Sequence, residues 1–197
     1  GFEGFKIYTI DSAKVSEQGV FKLNYDDKDK GIGYLSTADN NPYFVVLANE
    51  NIQLKGEKLS VPQSIAVLSG KENMSFVQYA IEHPKREQAL SAWVYLQKIY
   101  QADSLFKNQK HPQQAIETEM QRINQEDSNF LKSLDHKSFI KWYLPIRKLV
   151  SSVSTVAQYR TEEIPTSIDT FRKLDYTDDR LYKSGLLKDV IESHFWL

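Results

Sequence analysis

Three aspartates near the C-terminal end have the residue type and the close spacing that a divalent cation requires. Asp175, Asp178 and Asp179 lie in one short polar segment, and clustered carboxylates can bind a cation that activates water for hydrolysis. The segment lacks the D-x-[DN]-x-[DN]-G spacing and the twelfth-position glutamate of a calcium loop. In the alternative interpretation, Thr177 or Asp178 caps a short turn and an aspartate pairs with Arg172 or Arg180. The spacing favours this structural role over a metal-dependent hydrolase.

The other residue types that perform chemistry form no recognisable motif. The histidines lie in separate segments without H-E-x-x-H or any other paired spacing, so we interpret them as surface or capping residues. They are His83, His111, His136 and His194. Cysteine is absent, which removes disulfides, thiolate ligands and cysteine nucleophiles. We therefore predict no catalytic residue, no metal and no cofactor for this chain.

Composition excludes two classes of partner. The formal charge of the 197 residues is -1, so no general attraction to nucleic acid or to an anionic membrane is expected. No apolar run approaches the ~20 residues of a transmembrane segment. Residues 1–4 also lack the charged and apolar regions of a signal peptide. The proportions, 41% hydrophobic and 26% charged, are those of a globular chain with a sizeable core.

The first third of the chain predicts antiparallel strands. Apolar and polar residues alternate in 5–10 and in 20–25, and the segment between them ends in Gly19, which tolerates a turn with positive φ. These features predict a hairpin. Further strands are predicted at 31–35, 43–47, 52–56 and 65–68, with turns at 40–42 and 49–51. We predict an antiparallel sheet or sandwich domain over residues 1–68.

The remaining residues, 69–197, predict an all-helical domain. Ser69 and Glu72 have the S-x-x-E spacing of a capping box, and Pro84 should end the helix that follows them. The apolar face of that helix would contain Met74, Val77 and Ile81.

Later helices follow the same period. A second helix is predicted to about residue 108 and a third from Pro112, whose apolar stripe is interrupted only by Asp127. Pro145 either bends a fourth helix or opens a new one. The predicted fold class is therefore α+β, with strands first and helices after them.

Motifs at both ends of the sequence resemble one protein family. The N-terminal ones are Ile10-Asp11-Ser12, Gly19 with Phe21, and Gly33-Tyr34. The tail from 164 to 197 resembles the helical linker of the same proteins, in which an aromatic residue, an aspartate and an Arg-Leu pair introduce a helix. The family comprises envelope thioredoxin-like thiol–disulfide oxidoreductases of Gram-negative bacteria, of the TlpA-like or peroxide-reductase-like type. In it, a β-rich region precedes the thioredoxin-like domain.

The resemblance implies a secreted or lipid-anchored protein that faces the periplasm. In this family the redox chemistry belongs to a C-x-x-C motif in a later thioredoxin-like domain. Because this chain has no cysteine, no catalytic residue can be transferred to it. The resemblance implies a non-catalytic N-terminal module that positions the downstream thioredoxin-like domain of the same chain and contacts substrate proteins.

Two sets of aromatic residues are the candidate contact sites. The first is a candidate interface at the end of the sequence, which contains Phe195, Trp196 and Leu197. An uncovered apolar end leads us to expect that the native chain continues. The second set belongs to the alternative function, a small-ligand binding module with a pocket between sheet and helices. The candidate pocket contains Tyr34, Phe44 and Trp93.

Overall fold

The computed structural model describes residues 1–37 and 41–197, and this part of the chain has an α+β fold. Strands occupy the N-terminal part and helices follow, with 56% of the chain helical. The predicted fold class is confirmed. The turn predicted at 40–42 begins at Asn40, which lies outside the described residues.

Within the described residues the strands form three separate antiparallel pairs rather than one sheet. The strands are β1 (Phe2–Glu3), β2 (Lys6–Ile7), β3 (Gly31–Leu35), β4 (Tyr43–Leu47), β5 (Gln53–Lys55) and β6 (Ala66–Ser69). β1 pairs with β2, β3 with β4, and β5 with β6. The β3–β4 pair is the one whose bounds the sequence predicts, because its apolar run is buried.

The hairpin predicted from 5–10 and 20–25 forms only at its turn. Gly19 has φ 76° and donates its N–H to the Ser16 carbonyl at 2.9 Å, but no strand is formed between residues 8 and 26. Side chains 11–22 are all exposed, so pairing these segments would bury no apolar face. An isolated two-stranded hairpin is marginally stable in water, which explains the missing ladder.

Six α-helices follow in the described part of the chain. They are α1 (Lys71–Ala102), α2 (Lys110–Ser133), α3 (Phe139–Tyr159), α4 (Ile164–Arg172), α5 (Asp179–Tyr182) and α6 (Leu187–Trp196). The predicted break at Pro84 is wrong, because α1 continues through it. Proline removes one intrahelical hydrogen bond, and packing on α2 and α3 keeps the helix intact around it.

The buried face of α1 is not the one that the apolar spacing predicts. Met74 and Ile81 are exposed and Val77 is half-buried. The buried side chains are Asn73, Phe76, Tyr79, His83, Leu90 and Val94. Since this face includes an amide and an imidazole, hydrophobic periodicity alone selects the wrong side of the helix.

The predicted capping box at the start of α1 is also wrong. Ser69 belongs to β6, and Gly70 is the N-cap residue. The carboxylate of Glu50 caps the helix instead, accepting hydrogen bonds from the N–H groups of Glu72 at 3.1 Å and Asn73 at 3.4 Å. A distant acid therefore satisfies the free amides that a local serine was expected to satisfy.

The three long helices pack side by side, with α1 and α3 parallel and α2 antiparallel to both. Glu72 and Glu87 of α1 contact Ile140 and Arg160 at the start and end of α3. The start of α1 packs its Tyr79 ring against the last turns of α2. The resulting bundle carries the C-terminal helices on one side.

Strands and helices share the main apolar core. Ile32 of β3 and Val46 of β4 belong to the same cluster as Phe76 of α1, Leu144 of α3 and Val190 of α6. A smaller cluster around Tyr43, Val45, Leu47 and Ile65 lies among the strands.

Close contacts to the backbone of β3 and β4 hold these strands against the helices. Gly31 has φ 143°, and a side chain there would overlap the carbonyl oxygen of Lys183 and lie 2.7 Å from the Lys183 Cβ. The glycine lets β3 approach the turn between α5 and α6, where the Ile32 N–H donates to the Lys183 carbonyl at 2.9 Å. On β4, the Asn73 side chain accepts from the Val46 N–H and donates to the Val46 carbonyl, both at 2.8 Å.

Candidate functional site

The end of α6 presents an uncovered aromatic surface. Leu187 and Val190 anchor the helix in the main core, whereas Phe195 is 87% exposed and Trp196 62% exposed. Leu197 is half-buried and packs against the core. Of the candidate interface, Phe195 and Trp196 are therefore open to a partner; we refer to these two residues as the aromatic end of α6.

His194 holds this end in place. Its Nδ1 atom lies 2.9 Å from the Tyr176 hydroxyl, and its ring stacks on Phe171 with centroids 5.6 Å apart. Phe171 is fully buried, so the stack attaches the last turn of α6 to the core. The two exposed rings are thus carried by a fixed helix.

A buried polar layer crosses the three-helix bundle, and it is centred on a buried aspartate. Asp127 of α2 is 3% exposed and His83 of α1 is 7% exposed. Their Oδ1 and Nδ1 atoms are 2.9 Å apart, and Lys148 of α3 donates from Nζ to Asp127 Oδ2 at 2.6 Å. The interrupted stripe at Asp127 was the sequence signal for this layer; His83 was wrongly interpreted as a surface or capping residue.

Two further α1 side chains complete the polar layer. The Tyr79 ring stacks on His83 at 4.7 Å, and its hydroxyl lies 3.5 Å from Asp127 Oδ2. Arg86 brings Nη1 to 3.8 Å from Asp127 Oδ1. The polar layer is the set Tyr79, His83, Arg86, Asp127 and Lys148.

The polar layer keeps Asp127 ionised. Burial by itself would raise the pKa of Asp127, but hydrogen bonds from His83 and Lys148 outweigh it and hold the pKa at about 2. An ionised carboxylate only accepts, so Nδ1 of His83 carries the proton of their hydrogen bond. Burial, together with the nearby negative charge of Asp127, raises the pKa of Tyr79 well above its ordinary value.

A histidine oriented by an aspartate is the geometry of a general base, but this pair is enclosed. His83 Nε2 is buried and has no hydrogen-bond partner among the described residues. A substrate could reach it only by separating the helices. The polar layer therefore acts as a link between α1, α2 and α3 in the closed bundle.

The three candidate metal-binding aspartates do not converge. Asp175 accepts from the amide and hydroxyl of Thr177, at 2.9 and 2.6 Å. Asp178 caps α5 and pairs with the Arg180 guanidinium at 2.6 Å, while Asp179 is exposed. Across residues 1–37 and 41–197, no group of three or more His, Cys, Asp or Glu side chains is placed to hold a metal ion.

The remaining histidines lie apart from the polar layer and the aromatic end of α6, and His136 borders the cleft described below. His111 is exposed in the first turn of α2, and His136 is exposed between α2 and α3.

The candidate pocket residues lie in two places. Tyr34 and Phe44 face each other across β3 and β4, with ring centroids 6.1 Å apart. Trp93 lies on the second half of α1. Asn73 of α1 contacts β4, and Trp93 lies further along the same helix. At 1.5 Å per residue the two are roughly 30 Å apart along the helix axis. The structure does not bring Trp93 to the other two rings.

A different cleft lies between the strands and the helices. It has a volume of about 560 Å³ and is bounded by residues 27–30, 47–50, the start of α3, and α5. Trp142 forms part of its wall, and the Arg180 guanidinium lies 4.7 Å from the centre of that ring.

Several charged groups of this cleft have partners within the fold. Glu72 accepts from the Ile140 N–H at 3.1 Å, and burial raises the pKa of Glu72. Lys141 donates to the Lys132 carbonyl at 3.1 Å, and Lys30 pairs with Asp27 at 2.9 Å. The cleft thus combines an indole wall with a charged rim, several members of which are already paired.

Among the described helices, none has both the length and the apolar character needed to span a bilayer. No protein-family model, no curated protein and no solved structure matches the chain.

Proposed function

We propose that this chain is a non-catalytic module of a thioredoxin-like thiol–disulfide oxidoreductase of the bacterial envelope. Its role is to position a downstream thioredoxin-like domain and to contact substrate proteins. The order of the motifs from Ile10 to Tyr34, followed by the helical tail, supports this family. The observation that carries the proposal is the aromatic end of α6.

The aromatic end of α6 has the properties of a docking site. Two adjacent aromatic side chains are exposed on a helix whose other face is buried in the core. Phe and Trp bury about 150–250 Å² each on contact and are enriched in protein interfaces. A domain joined after Leu197 begins next to these rings, so the occupant we assign is that domain.

Redox chemistry is assigned to the partner domain. The module has no cysteine, and thiol–disulfide exchange needs a thiolate. The module contributes a platform in which β3, β4 and α6 are held together by the main core.

The test uses the protein that contains both the module and the domain after residue 197. Replacing Phe195 and Trp196 by alanine removes the docking rings. We expect amide exchange in the last turns of α6 and on the facing domain surface to rise by about ten-fold or more. The matched control is Leu105→Ala, because Leu105 is comparably exposed but lies between α1 and α2.

Two outcomes would contradict the proposal. Unchanged exchange in the double variant would exclude docking at this surface. A native chain without a C-x-x-C motif in a strand–helix context after residue 197 would exclude the oxidoreductase family.

The cleft beside Trp142 favours a second candidate function, a small-ligand binding module. Its volume of about 560 Å³ lies within the roughly 300–1,000 Å³ of ligand pockets. Thermal-shift screening with aromatic carboxylates and phosphates such as benzoate and phenyl phosphate tests it. A ligand present at about 100 times its Kd stabilises the fold by about 2.7 kcal/mol, which raises Tm by several degrees. A Tm that no probe changes would favour the scaffold function.

A further inference from the structure

The end of the helical bundle that lies away from the strands is a helical hairpin, and its tip is held by contacts between its own residues. It consists of α1 after Pro84, the loop 103–109, and α2 as far as Glu126; we call residues 85–126 the arm. Within its tip, the Tyr100 and Phe106 rings are 5.1 Å apart. The Gln113 side chain donates to the carbonyls of Tyr100 and Lys107 at 3.1 and 2.9 Å.

Both helices of the arm are weak where the arm begins. Pro84 has no N–H to donate to the Ala80 carbonyl, and its ring crowds that carbonyl. On α2, Asp127 is followed by Ser128 and Asn129, which have low helix propensity. Each helix can therefore bend at the polar layer.

Three polar contacts join the arm and its base to α3 and the residue that follows it. At its base, Asp127 bonds Lys148 at 2.6 Å. Further out, Glu87 pairs with the buried Arg160 at 2.7 Å, and Lys98 donates to the Tyr159 carbonyl at 2.6 Å. These contacts tie the arm to α3 along one line, which we call the seam.

The apolar packing of the arm is separate from the main core. The main cluster includes Phe76, Tyr79 and Tyr143 on the near side of the polar layer. The buried apolar residues of the arm are not part of it; they are Leu90, Val94, Ile116 and Ile123. The polar layer thus divides the bundle into two apolar parts, so one part can open without the other.

Some buried polar atoms of the polar layer and the seam lack a hydrogen-bond partner. His83 Nε2, Arg86 Nη1 and Arg160 Nε are buried without a hydrogen-bond partner in the described part of the chain. Unpaired buried donors and acceptors disfavour the closed state. The charge of Asp127 is therefore important for closure, because it is the buried anion that Lys148, His83 and Arg86 share.

We propose that the arm, residues 85–126, opens as a separate unit while the strands and α6 stay folded, and that Asp127 is the latch that holds it closed. Removing the negative charge leaves Lys148 without its carboxylate partner and leaves Arg86 with only Glu82 and Glu126. The base of the arm then loses the buried anion that ties it to α3, and removing one partner of a buried ion pair is strongly destabilising. Opening bends α1 at Pro84 and exposes the apolar residues of the arm.

Hydrogen exchange of Asp127→Asn tests the latch. We expect exchange within 85–126 to rise by about ten-fold or more, with β3, β4 and α6 unchanged. The matched control is Asp169→Asn on the exposed face of α4, which should change neither region. An equal rise over the whole chain, or no rise in the arm, would overturn the proposal.

Two further measurements keep the test decisive if Asp127→Asn folds poorly. Lys98→Gln removes the positive charge of the outer seam contact, which also pairs with Glu162 at 3.6 Å, and should raise exchange near the arm tip about two- to five-fold. Because the chain has no cysteine, spin labels can be placed at Leu105→Cys and Lys188→Cys. In the protein that carries only the two labelled cysteines we expect one main distance and a minor second one, whose share grows when Lys98→Gln is added; a single unchanged distance in both would contradict an opening arm.

Discussion

At the scale of single residues, Asp127 illustrates how neighbours decide the charge of a buried group. The folded-state pKa of about 2 lies below the ordinary value of 3.8, so the fold favours the carboxylate. Asp127 therefore stabilises the protein above pH 3.8, and this stabilisation is lost as the pH falls from 3.8 towards about 2. The groups that face it are Tyr79, His83 and Arg86 from α1 and Lys148 from α3.

We predict that acid destabilises the wild-type protein more than Asp127→Asn over this range. The difference should be about 2 kcal/mol, the size of the pKa shift expressed as free energy. Urea unfolding at several pH values measures it, with Asp169→Asn as the control that keeps the wild-type slope. Parallel pH profiles for wild type and Asp127→Asn would contradict the assigned pKa.

Two glycines with positive φ should differ in their tolerance of a side chain. Gly31→Ala would force Cβ into the Lys183 backbone. At Gly19, a Cβ atom would have no neighbouring atom within 4 Å. We expect Gly19→Ala to cost about 1 kcal/mol for its backbone conformation alone. Gly31→Ala should cost at least about 2 kcal/mol more, because the turn after α5 must move. Equal losses in urea unfolding would show that β3 is not fixed there.

At the scale of elements, the reliable predictions are those in which local pattern and burial coincide. The strands at 31–35 and 43–47 follow from their apolar runs, and they lie beside the helices that bury them. The segments around Gly19 have the alternation of apolar and polar residues, but no other part of the described chain buries side chains 11–22. The side of α1 that faces the core depends on partners on α2 and β4, which no local window contains.

Pro84 provides a test of how far packing overrides propensity in α1. Pro84→Ala restores the hydrogen bond to Ala80 and should stabilise the protein by about 1 kcal/mol or more. Exchange in the second half of α1 should slow with it. The matched control is Pro165→Ala, because Pro165 lies in the first turn of α4, where no such bond is lost. If the two variants behave alike, α1 is not strained at Pro84.

At the scale of the whole molecule, the change of pattern near residue 68 marks the end of the strands but not the end of the core. Ile32 and Val46 pack on helical residues such as Phe76. We predict that residues 1–69 do not fold on their own, since Ile32, Val46 and Ala48 would lose the helical residues that bury them. A dispersed amide NMR spectrum from this fragment would contradict that prediction.

The candidate sites show the same limit of sequence reasoning. Phe195 and Trp196 are identifiable as an apolar end with no polar cover, and the structure leaves both exposed. Asp127 is identifiable as an anomaly in an apolar stripe. Its partners His83 and Lys148 come from α1 and α3, and only the packing of three helices brings them to it.

The contacts at Ile32 and Val46 also bear on solubility. The outward backbone groups of a two-stranded ribbon invite a further strand from another molecule. Here the Ile32 N–H already donates to the Lys183 carbonyl. The Val46 N–H and carbonyl are both hydrogen-bonded to the Asn73 side chain. Each long edge of the β3–β4 ribbon is thus blocked at the same end, one residue from the Gly31–Leu47 pair, which guards this sheet against intermolecular strand addition and aggregation.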